Sequence, residues 1–293
     1  PCDAETLRYT IERACRLRKL FQNEDLLQAA AGITTLPSLP ALYSKLIAEL
    51  ESPAVSLDRV GKIVAQDMAM TAKVLQLVNS AFFGLRQRVT DPRWAVALLG
   101  INNLRPLVFY LQLFEAFRPD AGTSFSLEAL WRHSLVVGSL AREIARTELG
   151  SREATDEALT AGLLHDVGKL LLLRVPAYRE QLAALFKPEG GTAAATEYRL
   201  WGTSHAEVGA YLLGLWGIAD SIMEAVAFHH RPAAGAGNRF TLLTAIHVAN
   251  GLAHGEEAVL DREYLELLGV SNRVARWVEI GREVRERGFR DEG

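Results

Sequence analysis

Cysteine is nearly missing from this 293-residue chain: Cys2 and Cys15 are its only two, and they do not form a CxxC pair. That count argues against a disulfide scaffold and fits a reducing cytoplasm. No apolar run approaches the ~20 residues of a membrane span, so none is expected. Neither sign of charge dominates; the formal net charge is -3, which gives no global field for nucleic acid or an anionic membrane. Pro1-Cys2-Asp3 is not followed by a basic region and an apolar core, so no signal peptide is expected. The missing initiator Met suggests a processed chain or an excised fragment. Walker loops, dinucleotide fingerprints and Ser or Cys nucleophile motifs are absent as well. So are alternating β-branched segments, and the fold class expected is therefore all-α.

What is present is a helical period along nearly the whole chain. Residues 4–31 read as one or two polar helices. Thr34 to Pro40 is a break, with Pro40 suited to the first turn of the next helix. Helices are expected at about 40–50, 57–66 and 69–80, the second capped by Ser56. Asp91-Pro92 opens a short helix closed by Gly100, and a long one follows over about 101–117. Residues 118–126 are the clearest linker, and all seven histidines lie after it. The division expected is 1–32 as an extension, 33–120 as a histidine-free half, 121–255 as a histidine-bearing half and 256–293 as a C-terminal extension. The Arg/Glu-rich helix at 271–290 reads as solvated or partner-facing. Phe82-Phe83-Gly84-Leu85 reads as core.

The densest chemistry is Leu163-Leu164-His165-Asp166-Val167-Gly168-Lys169-Leu170. On a helix, His165 and Asp166 lie about 100° apart and can reach one metal over the groove between them. Gly162 and Gly168 flank His165 where glycine costs about 1 kcal/mol relative to Ala. Something must come close there, either another backbone or a bound group. Lys169 adds a cation suited to a phosphate oxygen. His133 shares a stripe with Val137, Leu140 and Ile144; by itself that fits a core histidine better than a ligand. Ser204 and Glu207 have capping-box spacing, which puts His205 in a first helical turn where the dipole disfavours imidazolium. His229 and His230 close the helix that Asp220 opens, and one of the two suits a cap. His247, Asn250 and His254 share a stripe, with His254 read as a C-terminal cap.

The order His133, His165-Asp166, His205, His229-His230 resembles the HD superfamily of metal-dependent phosphohydrolases. Leu36-Pro37-Ser38-Leu39-Pro40, Gln66-Asp67, Leu77 to Gly84, Ala95 to Gly100, Trp201 to Ala210 and His229-His230-Arg231-Pro232 narrow the match to HDOD domains, over about residues 33–255. The resemblance implies an all-helical bundle, a bacterial setting and signal transduction, with a receiver domain or signalling protein as partner. It implies metal ligands at His133, His165 and Asp166, and a second set at His205, His229 and His230. The last superfamily carboxylate falls at Asn250, a neutral and weaker ligand for a hard cation. Residues 231–238 lack Gly-Tyr-Pro, which counts against cyclic di-GMP hydrolysis. The function expected is a regulatory module with a degenerate metal site, the cofactor being Fe, Mn, Zn or Mg, or none. The alternative is an active phosphohydrolase, with Asp166 and Lys169 as catalytic groups.

Overall fold

The computed structural model describes residues 41–66, 68–79, 89–116, 125–173, 175–181, 192–215, 218–235, 237–254 and 260–289. The polar helices expected at 4–31, the break at 34–40 and Phe82 to Leu85 lie outside these. Among the described residues every regular element is helical, as the missing strand pattern predicts. None of these helices is long and apolar enough to cross a membrane.

Among the described residues, four helices precede the histidines: α1 (Ala41–Glu51), α2 (Leu57–Val64), α3 (Met68–Asn79) and α4 (Pro92–Ala116). Ser56 stands at the start of α2, but its side chain makes no capping bond; its N–H goes instead to Glu49 Oε1 at 3.0 Å. The expected stop at Gly100 is found: α4 is two helical stretches that meet at Gly100, which leaves helical geometry with φ 73° and ψ 164°. Only glycine takes that conformation without strain.

The histidine-bearing half holds α5 (Leu127–Glu148), α6 (Arg152–Leu164), α7 (Val167–Leu172), α8 (Pro176–Glu180), α9 (Ala193–Trp201), α10 (His205–Leu215), α11 (Asp220–Phe228), α12 (Leu242–Ala253), α13 (Arg262–Leu267) and α14 (Val274–Phe289). Ser126 caps α5 by accepting from Ala129 N, and Ser151 caps α6 by accepting from Ala154 N. Each such cap is worth about 1 kcal/mol. The α5 helix is central, with α6, α12 and α14 packed on it.

One continuous apolar cluster joins the two halves, from Leu46 and Val74 through Trp131 and Leu140 to Trp277. Trp131 Nε1 donates to Gln76 Oε1 at 2.9 Å, which ties α3 to α5. Asn103 on α4 reaches Asp156 on α6 at 3.3 Å. The C-terminal helix differs from its expectation. Arg276, Glu279, Arg282 and Glu283 are exposed, but Val274, Trp277, Ile280 and Val284 are buried, and Trp277 Nε1 donates to Glu148 Oε1. Alternating charges conceal an apolar stripe at i, i+3, i+6 and i+10, and that stripe seats the helix on α5 and α12.

Candidate metal centre

Seven polar side chains from five places in the fold meet at one point. His133 comes from α5 and Asn250 from α12. His165 and Asp166 form the junction of α6 and α7, His205 is the first residue of α10, and His229 and His230 follow α11 directly. The junction corrects the reading of a single helix through His165 and Asp166. His165 ends α6, and Asp166 (φ -101°, ψ 7°) leaves the helical region before α7 begins. The break turns the Asp166 carboxylate toward both groups of histidines.

Two donor sets result, and they share Asp166. Asp166, His205, His229 and His230 each offer one ligand atom within 4.8 Å of the others, and so do His133, His165 and Asp166. His205 Nε2 is 3.0 Å from Asp166 Oδ1 and 3.1 Å from His230 Nε2. His133 Nε2 is 3.2 Å from His165 Nε2, 3.1 Å from Asn250 Oδ1 and 3.7 Å from Asp166 Oδ2. Asp166, His165, His205 and His229 are buried, whereas the His133 side chain is 18% exposed.

The outer hydrogen bonds fix the ring tautomers. His165 Nδ1 lies 2.7 Å from the Gly162 carbonyl and His229 Nδ1 lies 2.8 Å from that of Val226. A carbonyl only accepts, so each Nδ1 carries the proton and each Nε2 turns its lone pair inward. His205 Nδ1 is likewise 2.6 Å from Glu197 Oε2. His229 Nε2 is then left buried with no hydrogen-bond partner, and Asp166 Oδ1 faces His205 Nε2 at 3.0 Å. An unpartnered imidazole lone pair beside a buried carboxylate suits a cation. Nitrogen donors with one carboxylate suit Zn, Fe(II) or Mn better than Mg or Ca. The residues present therefore fit a divalent metal.

The electrostatics agree. Burial opposes the ionisation of Asp166, yet His165, Lys169 and His205 hold its carboxyl well below the usual range. Lys169 Nζ sits 2.6 Å from Asp166 Oδ2. Burial and the neighbouring rings keep His229 and His230 well below an ordinary imidazole. Burial, with His165 beside it, pushes His133 down to about 3. His205 departs from the helix-dipole expectation. Burial pushes it down, but Glu197 and Asp166 on its two nitrogens carry it above its ordinary value. Positive charge is favoured between those two carboxylates.

Two histidines stand outside the donor sets. His247 Nδ1 donates to the His229 carbonyl at 2.8 Å, and its Nε2 accepts from Asp261 N at 2.9 Å. It is a strut that fixes the backbone carrying His229. His254 ends α12 and stacks on His133, with ring centroids 4.6 Å apart. Sequence reasoning missed Glu197 and Tyr178. Glu197 is fully buried on α9, and Tyr178 donates to its Oε1 at 2.8 Å. A charged residue in an otherwise ordinary helical stretch gave no signal. Gly162 and Gly168 answer to backbone, not ligand. A Cβ at Gly162 would lie 2.4 Å from Gly138 Cα, and one at Gly168 would lie 1.9 Å from the His205 carbonyl oxygen.

An all-helical bundle with a histidine–aspartate centre at its core defines the class. The HDOD domain model matches residues 36–232, and the chain belongs to that family. It is 28% identical over 204 residues to an uncharacterized protein of Treponema pallidum, which covers 69% of this chain and 39% of the relative. The chain thus spans about two fifths of that relative's length. Its fold is shared by an HDOD domain protein of unknown function from Geobacter sulfurreducens, 24% identical, with a TM-score of 0.62 over 91% of this chain and 99% of the other. A Shewanella amazonensis protein provisionally named a phosphohydrolase is also 24% identical, with a TM-score of 0.62 over 91% and 98% of the two chains.

Proposed function

We propose that this chain is a cytoplasmic signal-transduction module that holds a divalent metal without turning over a substrate. The metal would be held by Asp166, His205, His229 and His230, with His133, His165 and Asp166 as a second, weaker set. Its partner would be a signalling protein or an upstream receiver domain; no nucleic-acid role is proposed. One observation carries the reading: an amide, Asn250, is 3.1 Å from His133 Nε2, where the family resemblance implies a carboxylate. A neutral oxygen lowers the charge offered to a hard cation there.

A second reading is favoured by a different observation. The His133 and Lys169 side chains are 18% and 16% exposed, so the centre has an open side. A bound divalent ion would supply Lewis-acid activation of a phosphoryl group, and Lys169 would then meet the developing charge. Metal analysis of protein purified without chelator, paired with a phosphodiester assay in Mn(II), Fe(II) and Zn(II), separates the two. Bound metal with no turnover is the expected result. Turnover that Asp166→Asn abolishes would establish the phosphohydrolase instead.

A further inference from the structure

The ligand rings are oriented by two different devices. His165 and His229 each donate to a carbonyl three residues back on their own helix, Gly162 and Val226. His205 has no such carbonyl, because it is the first residue of α10 and no helical turn precedes it. Glu197 supplies what is missing. Its Oε2 accepts from both the His205 backbone N–H, at 2.8 Å, and His205 Nδ1, at 2.6 Å. Its Oε1 accepts from Tyr178 OH at 2.8 Å. Glu197 is fully buried, and a buried carboxylate is costly unless its oxygens are satisfied. Here they are satisfied by His205 and by a tyrosine held against Trp201, ring centroids 5.3 Å apart.

We propose that Glu197, braced by Tyr178, is the positioning residue of this centre. It caps the first N–H of α10, sets the Nδ1–H tautomer of His205 and aims Nε2 at Asp166. A carboxylate in this place does more than the carbonyls behind His165 and His229. Its full negative charge makes the imidazole a stronger donor. The side chain belongs to α9, so a segment that provides no ligand controls one. This inference rests on the metal-holding reading above.

The test is Zn(II) titration of metal-stripped full chain against a competing chelator, for wild type, Glu197→Gln and Tyr178→Phe, with the metal-free melting temperature of each. Glutamine keeps the volume and an oxygen for His205 but removes the charge. Glu197→Gln is expected to weaken Zn(II) binding about 10–100-fold while the metal-free Tm stays near that of wild type. Tyr178→Phe leaves the charge in place and is expected to cost less than about tenfold; it serves as the variant if the glutamine protein does not fold. Unchanged affinity in both variants overturns the inference and leaves the metal reading standing. So does a loss of affinity matched by a collapse of the metal-free Tm, which marks a purely structural role. Absence of Zn(II) binding by wild type overturns both.

Discussion

At the scale of single residues the centre is a contest between donors and protons. Asn250 Oδ1 faces His133 Nε2 from the place where a carboxylate would complete the second donor set. Asn250→Asp should tighten divalent-metal binding about tenfold, since a charged oxygen outweighs an amide for a hard cation. Equilibrium dialysis with Mn(II) measures it. A lower Tm with no extra metal would show that the new charge is merely buried, and the degenerate-site reading would fail. Protons act in the opposite direction. His133, His229 and His230 are held below the ordinary 6.5, His133 at about 3. Below pH 6.5 the unfolded chain therefore binds protons that the folded one refuses, and stability falls as pH falls. Each ring contributes about 1.4 kcal/mol per pH unit inside its window. His205, raised instead, contributes stability below 6.5 that is lost as pH rises through its folded value. With His247 also held down by burial, four rings against one predict that the metal-free Tm drops between pH 6.5 and 5. His133→Asn should flatten that slope; a Tm indifferent to pH over this range rejects the account.

At the scale of helices the site depends on close crossings. The Gly168 position on α7 meets the His205 carbonyl of α10, where an added Cβ would sit 1.9 Å away with Gly209 N at 2.6 Å. Both contacts are backbone, so neither side can yield without moving a helix. Gly168→Ala should therefore cost about 1–3 kcal/mol and, by spreading α7 from α10, separate Asp166 from His205. Gly237→Ala, with nothing within 4 Å, should stay within about 0.5 kcal/mol. Equal melting curves for the two variants would contradict the crossing argument. These crossings also mark what the sequence could convey. Two glycines beside His165 signalled a close approach, because glycine is disfavoured inside helices; they did not reveal whether backbone or ligand approached. The helices were legible from their period, and the histidines from their order. Glu197 was not, because its role depends on α9 being placed against the start of α10, a relation between segments that no local pattern encodes. The break between His165 and Asp166 was hidden in the same way: Leu163 to Leu170 keeps an apolar helical period through a residue that leaves the helix. The apolar stripe of α14 was outweighed by its many charges, although Trp277 and Ile280 lie on it.

At the scale of the whole molecule, the proposed ligands come from elements far apart in sequence: α5, the α6–α7 junction, α10, the end of α11 and α12. In the unfolded chain these side chains have no common position, so a metal bound by the centre favours the folded state by mass action. At a free concentration 100 times its dissociation constant, the ion should add about 2.7 kcal/mol, which is about 4–5 °C in Tm for a chain of 293 residues. Asp166 belongs to both donor sets, so its loss should abolish the gain at once rather than halve it. The measurement is a melting curve of wild type and Asp166→Asn, each with Zn(II) and with excess chelator. Wild type should lose several degrees to the chelator, and Asp166→Asn should be indifferent to both additions. A wild-type Tm that ignores the chelator would mean that the converging lone pairs are held in place by packing alone. The buried, unpaired His229 Nε2 would then be a standing cost to the fold, with nothing in the core to offset it.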